Sequence, residues 1–403
     1  MAVPLTAQLP VGFQASGSTC GIKVSGKSDL ALFVSDRDAA AAGVFTTNKV
    51  CGAPVIVSKK RVPSGTARAV IINSGNSNAA TGEPGIRDAE QMTSVLAEQL
   101  GCDAKSVFVC STGVIGVPLP MPIILKGIPH GVKTLGSSDS HLLNAATAMM
   151  TTDTFPKLTS EDVPVSGGTV RISGVCKGAA MIAPNMATML AVVMTDAQLT
   201  ADQCESALRF GVDRTFNCIS VDGHMSTSDT VLLLANGASG GTLTELDFPK
   251  VRDAIQRVCQ KLATNIIRDA EGADHFITID VDGLATRNAA FQMAKEIADS
   301  ALVKTAIAGG DPNWGRIVSA AGYANVDFDT AYVSLHINGT EVYRAGTPVP
   351  FDAAALSTQL KSQRDVHLKL SVSGGPCSGK ESVRFWTSDL TQEYVRLNSE
   401  YTT

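Results

Sequence analysis

A chain of 403 residues, 44% hydrophobic and 18% charged, can bury one large core or two smaller ones, which excludes an intrinsically disordered protein. Its formal net charge of −5, with no dense Lys/Arg run interleaved with aromatics, argues against nucleic acid as a partner. No apolar stretch approaches the roughly 18 residues of a spanning helix, and Met1-Ala-Val-Pro-Leu5 lacks the basic and apolar regions of a signal peptide, so a cytoplasmic protein without membrane association or targeting segment is expected.

In chain order the patterning alternates between strand and helix. Residues 29–34, 67–72 and 106–110 predict strands, 88–100 an amphipathic helix, and 170–175 a further strand. Pro184-Asn185 predicts a turn, and the nearly continuous apolar run at 189–194 predicts a buried strand directly after it. Beyond it, residues 201–209 and 248–263 predict helices and 230–234 and 275–281 strands, with a helix over 288–300 ahead of the apolar run at 303–307. A mixed α/β fold follows, without an internal repeat or low-complexity tract. Gly237 to Gly241 is expected to be a flexible turn.

The run Gly374-Gly-Pro-Cys-Ser-Gly-Lys380 nearly matches a phosphate-binding loop. Glu381 stands where a Ser or Thr would bind magnesium, and residues 382–386 have the pattern of a strand where that loop needs a helix N-terminus. A hairpin turn is expected there, and no nucleotide. The nine cysteines are scattered without a CxxC pair, which points to reduced, mostly buried thiols. The six histidines are dispersed without HExxH or zinc spacing, so no metal is expected. His224 and His275 stand beside conspicuous motifs, but a lone His next to a strand or loop reads as structural, and replacing both by Asn should leave most activity.

The segment Lys177-Gly-Ala-Ala-Met-Ile-Ala-Pro-Asn-Met-Ala-Thr188-Met-Leu190 places Thr188 where a loop becomes a strand. On its own such a threonine reads as a β-branched residue packing a pleat. Its hydroxyl is a weak nucleophile at neutral pH and needs an adjacent base. Attack on the Ala187 carbonyl, an N-to-O acyl shift and hydrolysis would leave Thr188 as a new N-terminus. An α-amine has a pKa of about 7.7–8, well below the ~10.4 of a lysine, so it can act as base near neutral pH.

The same segment resembles the KG-x-GMI-x-P-x-MATML signature of the ornithine acetyltransferase family, also called bifunctional glutamate N-acetyltransferase. The resemblance runs nearly end to end, through Gly12-Phe-Gln-Ala-Ser-Gly17, Asn73-Ser-Gly-Asn-Ser-Asn78, Ser111-Thr-Gly-Val-Ile-Gly116, Thr151-Thr-Asp-Thr-Phe-Pro-Lys157, Ser226-Thr227, Gly310-Asp-Pro-Asn-Trp-Gly-Arg316 and Trp386-Thr-Ser-Asp-Leu-Thr391. Two departures lie near the proposed site: Ala180 where the family usually has Gly, and Ala270-Glu-Gly-Ala-Asp274 in place of a GEGAT-like run. An added methyl at 180 is expected to restrict backbone approach to the substrate or to shift φ.

The resemblance implies self-cleavage between Ala187 and Thr188, giving residues 1–187 and 188–403 as two chains that fold together first and stay interlocked. It implies an αββα-type layered fold shared with the self-processing D-aminopeptidase group, with a smaller second domain, and two copies of each fragment in the assembly. It places the nucleophile at Thr188, the oxyanion hole at Thr112 and Gly113, and substrate contacts at Thr151, Lys177, Thr188, Glu271, Asn398 and Thr403. Without it, Ser-Thr-Gly reads as a plain turn, Lys177 and Glu271 as surface residues, and Thr403 as a frayed tail. Thr152 is the close alternative to Thr151.

The implied reaction is ping-pong transfer of acetyl from N2-acetylornithine to glutamate in arginine biosynthesis, with no cofactor and, in some family members, acetyl-CoA as a second donor. Two other readings remain at this stage: an amidase or aminopeptidase in which water takes the acyl group, and a metabolite-binding paralogue that has kept the fold without the chemistry.

Overall fold

The computed structural model of the chain describes residues 7–183, 189–241 and 243–400. The first elements are β1 (Phe13–Ser18), β2 (Leu30–Phe45), α1 (Ala53–Lys59), β3 (Ser64–Asn76), α2 (Gly82–Leu100), β4 (Val107–Val114), α3 (Met121–Lys133), α4 (Asp139–Met149), β5 (Lys157–Val165) and β6 (Gly168–Lys177). Then come β7 (Leu190–Thr195), α5 (Ala201–Arg214), β8 (Ile219–Ser220), β9 (Thr230–Ala235), α6 (Phe248–Arg268), β10 (Phe276–Leu284), α7 (Arg287–Asp299), α8 (Ala301–Ala308) and α9 (Trp314–Ala321). The C-terminal part holds β11 (Val333–Ile337), β12 (Thr340–Arg344), β13 (Thr347–Pro348), α10 (Ala353–Ser362), β14 (Asp365–Val372), β15 (Ser378–Ser388) and α11 (Gln392–Glu400).

These strands form two mixed sheets, so the fold is α/β and layered rather than doubly wound. The first sheet runs β4-β3-β2-β9-β7-β6-β5, with β1 also paired to β2; the second runs β13-β12-β11-β14-β10-β15-β8. β7 and β9 are parallel, and they sit between strands that precede residue 184: β7 pairs antiparallel with β6, and β9 pairs antiparallel with the second half of β2.

Side-chain alternation divides the core as a two-sided sheet requires. Leu190, Val192 and Met194 of β7 share a cluster with Leu142, Ala145 and Met149 of α4, whereas Ala191 and Val193 point into the cluster built by α5 and α6. Helix α6 earns its length from apolar residues at three- and four-residue spacing, from Val251 through Ile267. It lies against β5 and β6 and reaches β8 and β15 of the second sheet, which α7 covers through β10 and β15. Its close approach requires Gly174: a Cβ there would fall 2.8 Å from both Val258 and Leu262. Helix α5 begins with a capping box between Thr200 and Gln203.

Two local expectations are corrected and one stretch left without an element is assigned. The strand predicted at residues 29–34 continues to Phe45, because the alanine-rich stretch pairs with β9 and is buried there whatever its weak strand preference. The apolar run at 303–307, given no element from sequence, lies within α8. The glycine-rich run at 374–380 is not a hairpin turn: β14 and β15 flank β10 on opposite sides, so the connection crosses over that strand instead of joining neighbours. Among the described residues, no helix is long and apolar enough to cross a membrane, and no group of three or more His, Cys, Asp or Glu could hold a metal ion.

Candidate functional site

The parallel pair β3–β4 ends at one rim of a cleft. Thr112 and Gly113 occupy the last turn of pleat in β4, so Ser-Thr-Gly is a strand end and not a turn. Gly113 has φ +131°, and a Cβ on it would lie 2.3 Å from the Gly75 carbonyl carbon, so only glycine lets the two strand ends approach this closely. The Thr112 side chain accepts a hydrogen bond from the Lys177 ammonium at 3.2 Å. That bond occupies a lone pair and leaves the Thr112 O–H proton free to be donated into the cleft.

Lys177 closes β6 and is buried, with 3% of its surface exposed. Burial pulls its pKa below the ordinary lysine value, against the opposing pull of Asp153, and Lys157 adds to the depression. Asp153 organises the floor. It accepts the Thr151 N–H at 3.0 Å, the Gly178 N–H at 2.6 Å and the Lys157 ammonium at 2.6 Å. Burial alone would raise its carboxyl, but Lys157, Lys177 and the Gly178 N–H outweigh that and bring it down to about 2. Lys157 also meets Asp269 at 2.5 Å, and this pairing with two carboxylates holds its pKa up despite burial.

The opposite wall comes from the segment after α6 and from α11. Glu271 donates its backbone N–H to the Ala179 carbonyl at 3.0 Å, and its carboxylate accepts from the Asn398 amide at 3.1 Å. Gly272 tucks under α11, where the Thr391 hydroxyl donates to its carbonyl. The Tyr394 hydroxyl donates to Asp222 at 3.1 Å, tying the same helix to the loop after β8.

The cleft is lined by Ser77, Thr112, Gly113, Ile115, Thr151, Thr152, Lys177, Ala180, Met181, Ser226, Thr227, Ser228, Glu271 and Asn398 among the described residues. Six positions singled out from the sequence, Thr112, Gly113, Thr151, Lys177, Glu271 and Asn398, thus converge on one space from places up to 286 residues apart (398 − 112). Ala187, Thr188 and Thr403 lie outside the described residues. Both Thr151 and Thr152 face the cleft, so geometry leaves either hydroxyl available to a ligand. Ala180 contributes a methyl to the wall, but the unusual backbone belongs to its neighbour: Met181 has φ +57°, while Ala180 is not among the positive-φ residues.

The ArgJ family model matches residues 14–403. The chain belongs to the ArgJ family. The arginine biosynthesis bifunctional protein ArgJ of Rhodopirellula baltica is 47% identical over 399 residues, covering 98% of this chain and 96% of that one. The protein of the same description from Geobacter sulfurreducens is 43% identical over 395 residues, covering 97% and 99%. Among solved structures, ornithine acetyltransferase from Mycobacterium tuberculosis, complexed with ornithine, aligns at 38% identity over 45% of this chain and 96% of that chain, with a TM-score of 0.41.

Several cleft residues of this ArgJ-family chain were not given roles from sequence. Ser77, Ile115, Met181 and Ser226 to Ser228 arrive from loops whose small polar residues carry no periodic signal, although Asn73 to Asn78 and Ser226-Thr227 had stood out as motifs. Asp153 and Asp222 are not part of this lining, yet they hold Thr151 and Met181, which are, and Lys157 braces Asp153. Asp229 is wholly buried and accepts the Met189 N–H at 3.0 Å; burial pushes its carboxyl well above the ordinary range, against the opposing effect of that N–H and of Lys177. His275 is structural: its two ring nitrogens meet Asp389 at 2.6 Å and the Leu360 carbonyl at 2.9 Å, and the Asp389 contact holds its pKa up. His224 is exposed, and its backbone N–H donates to Asp222.

Proposed function

We propose that this chain is a glutamate N-acetyltransferase of arginine biosynthesis that moves acetyl from N2-acetylornithine to glutamate through an acetyl-Thr188 intermediate. The observation that carries the reading is the convergence of Thr112, Gly113, Thr151, Lys177, Glu271 and Asn398 on one cleft in a chain of the ArgJ family. First the Thr188 hydroxyl attacks the Ala187 carbonyl, the acyl group shifts from N to O, and water hydrolyses the ester, giving residues 1–187 and 188–403. The freed α-amine then takes the Thr188 hydroxyl proton as oxygen attacks the acetyl carbonyl. The Thr112 hydroxyl and the Gly113 N–H stabilise the oxyanion, and ornithine departs with the proton. Glutamate's neutral amine attacks the ester carbonyl and gives a proton to the α-amine; the bond to the Thr188 oxygen breaks, that oxygen takes the proton from the α-amine, and N-acetylglutamate leaves.

Lys177 and Glu271 suit an amino-acid ligand, the first for a carboxylate and the second for an ammonium, with Asn398 and Thr403 holding the head group. Because the Asn398 amide already engages the Glu271 carboxylate, the two act as one polar wall. Acetyl-CoA is proposed as a second donor, with no other cofactor, and the assembly as two copies of each fragment.

The test is intact mass before and after brief exposure to N2-acetylornithine. Fragments split at Ala187/Thr188 with an acetyl adduct on the C-terminal one are expected. An uncut and unmodified chain would refute the reading. Free acetate appearing faster than N-acetylglutamate in the presence of glutamate would make the protein a hydrolase.

A further inference from the structure

The backbone on both sides of residues 184–188 is held by carboxylates that belong to one loop. Upstream, Asp222 accepts the Met181 N–H at 2.6 Å and the Ile182 N–H at 2.9 Å, and it also receives the His224 N–H and the Tyr394 hydroxyl. The Ile182 carbonyl is occupied in turn by the Val221 N–H at 2.8 Å. Downstream, Asp229 accepts the Met189 N–H at 3.0 Å, and the Met189 carbonyl accepts the Thr230 N–H at 3.1 Å.

The loop between the two aspartates is itself braced. The Thr46 hydroxyl donates to the Ser226 carbonyl at 2.8 Å, the Gly52 N–H to the Thr227 carbonyl at 2.8 Å, and the Thr46 N–H to the Asp229 carbonyl at 3.0 Å. Met181, with φ +57°, adopts a backbone conformation that is unfavourable for a side-chain-bearing residue, and Asp222 sits on its N–H. Both peptide edges of the segment are therefore fixed to one rigid support while a strained residue is kept in place on the upstream edge.

We infer that the loop from Asp222 to Asp229 is a two-point clamp whose carboxylates fix the chain on either side of residues 184–188 and thereby set the rate of scission. The inference rests on the proposed cleavage at Ala187/Thr188. An intramolecular attack of a side chain on the preceding carbonyl gains its rate from geometry held near the reacting arrangement, and that gain is lost when the flanks can drift. Asp222 and Asp229 are positioning residues here; they act through the backbone they hold.

The test follows scission from the end of synthesis, using pulse-labelled full-length chain made by cell-free translation and sampled for intact and split species. Asp222→Ala and Asp229→Ala should each slow scission more than about tenfold. Asp229→Asn keeps an oxygen for the Met189 N–H and should stay within about threefold of wild type. Asp222→Asn turns an NH2 towards one of two backbone N–H groups and should be slow. Thermal unfolding of the same four variants in a Thr188→Ala background, where every chain is uncut, separates slow scission from failure to fold. Should the alanine variants aggregate, the contrast between the two asparagine variants carries the test.

Alanine variants that split at the wild-type rate would overturn the clamp. Asp229→Asn as slow as Asp229→Ala would also overturn it, in favour of proton transfer by that carboxyl. A wild-type chain that never splits would instead remove the cleavage reading itself.

Discussion

Replacing Lys157 by Met removes a cation that sits between two buried carboxylates behind the cleft. Its ammonium meets Asp153 at 2.6 Å and Asp269 at 2.5 Å, with the lysine side chain fully buried. Breaking a buried pair by deleting one partner costs about 3–5 kcal/mol. At an unfolding entropy of about 2.1 cal/mol/K per residue, a chain of this length changes stability by about 0.85 kcal/mol per degree, so Tm should fall by about 4–6 °C. Calorimetry at pH 7 in a Thr188→Ala background compares variant and parent in one covalent state.

Acidification supplies the second arm. The Asp153 carboxyl is depressed from 3.8 to about 2 in the folded chain. A depressed carboxyl stabilises the fold above its unfolded value, and that contribution disappears as pH falls from about 4 to about 2. The gap between parent and Lys157→Met should therefore narrow through that window. A variant melting within about 1 °C of its parent at pH 7, or a gap that widens on acidification, would refute the argument that this cation braces the cleft.

Thr112→Val keeps the shape and removes the hydroxyl donor, and steady-state kinetics should show kcat lowered about 10²–10³-fold with little change in KM. Gly113→Ala places a methyl 2.3 Å from the Gly75 carbonyl carbon, and soluble yield should drop sharply with the ends of β3 and β4 forced apart. The folded-state pKa of Lys177 lies below its unfolded value, so the charge proposed to hold the ligand carboxylate should be lost as pH rises through a point below 10.5, seen as a rising KM; in Lys177→Met that limb should vanish. His275 has the opposite sign. Its raised pKa gives stability that is complete below about 6.5 and lost as pH climbs through the folded value, so His275→Asn should lower Tm at pH 6 more than at pH 9 and leave most of kcat.

Much of the mixed α/β pattern was legible because its strands and helices carry strong periodicity. Residues 189–194 read as a buried strand and β7 spans Leu190–Thr195. The helix read over 248–263 continues to Arg268, since Ile266 and Ile267 return to the core after the polar pair Thr264-Asn265. Pairing with β3 and β9 makes a strand of residues 39–42, and four alanines in a row have no local preference that would announce it. The cleft was legible only through motif resemblance: Thr112-Gly113 is locally a turn signal, and nothing local marks Lys177 as buried. Asp153 and Lys157 were legible only as part of a motif and Asp269 not at all, because 112 residues separate Lys157 from Asp269 and only the fold brings them together.

The position of β7 and β9 between strands of the preceding region bears on what happens after denaturation. If the chain is cut at the proposed Ala187/Thr188 bond, the centre of the first sheet and its flanks belong to different molecules, and neither can finish its hydrogen-bond ladder alone. Refolding then becomes a second-order encounter, faster in concentrated solution and failing on dilution, whereas the uncut Thr188→Ala chain refolds at a rate independent of concentration.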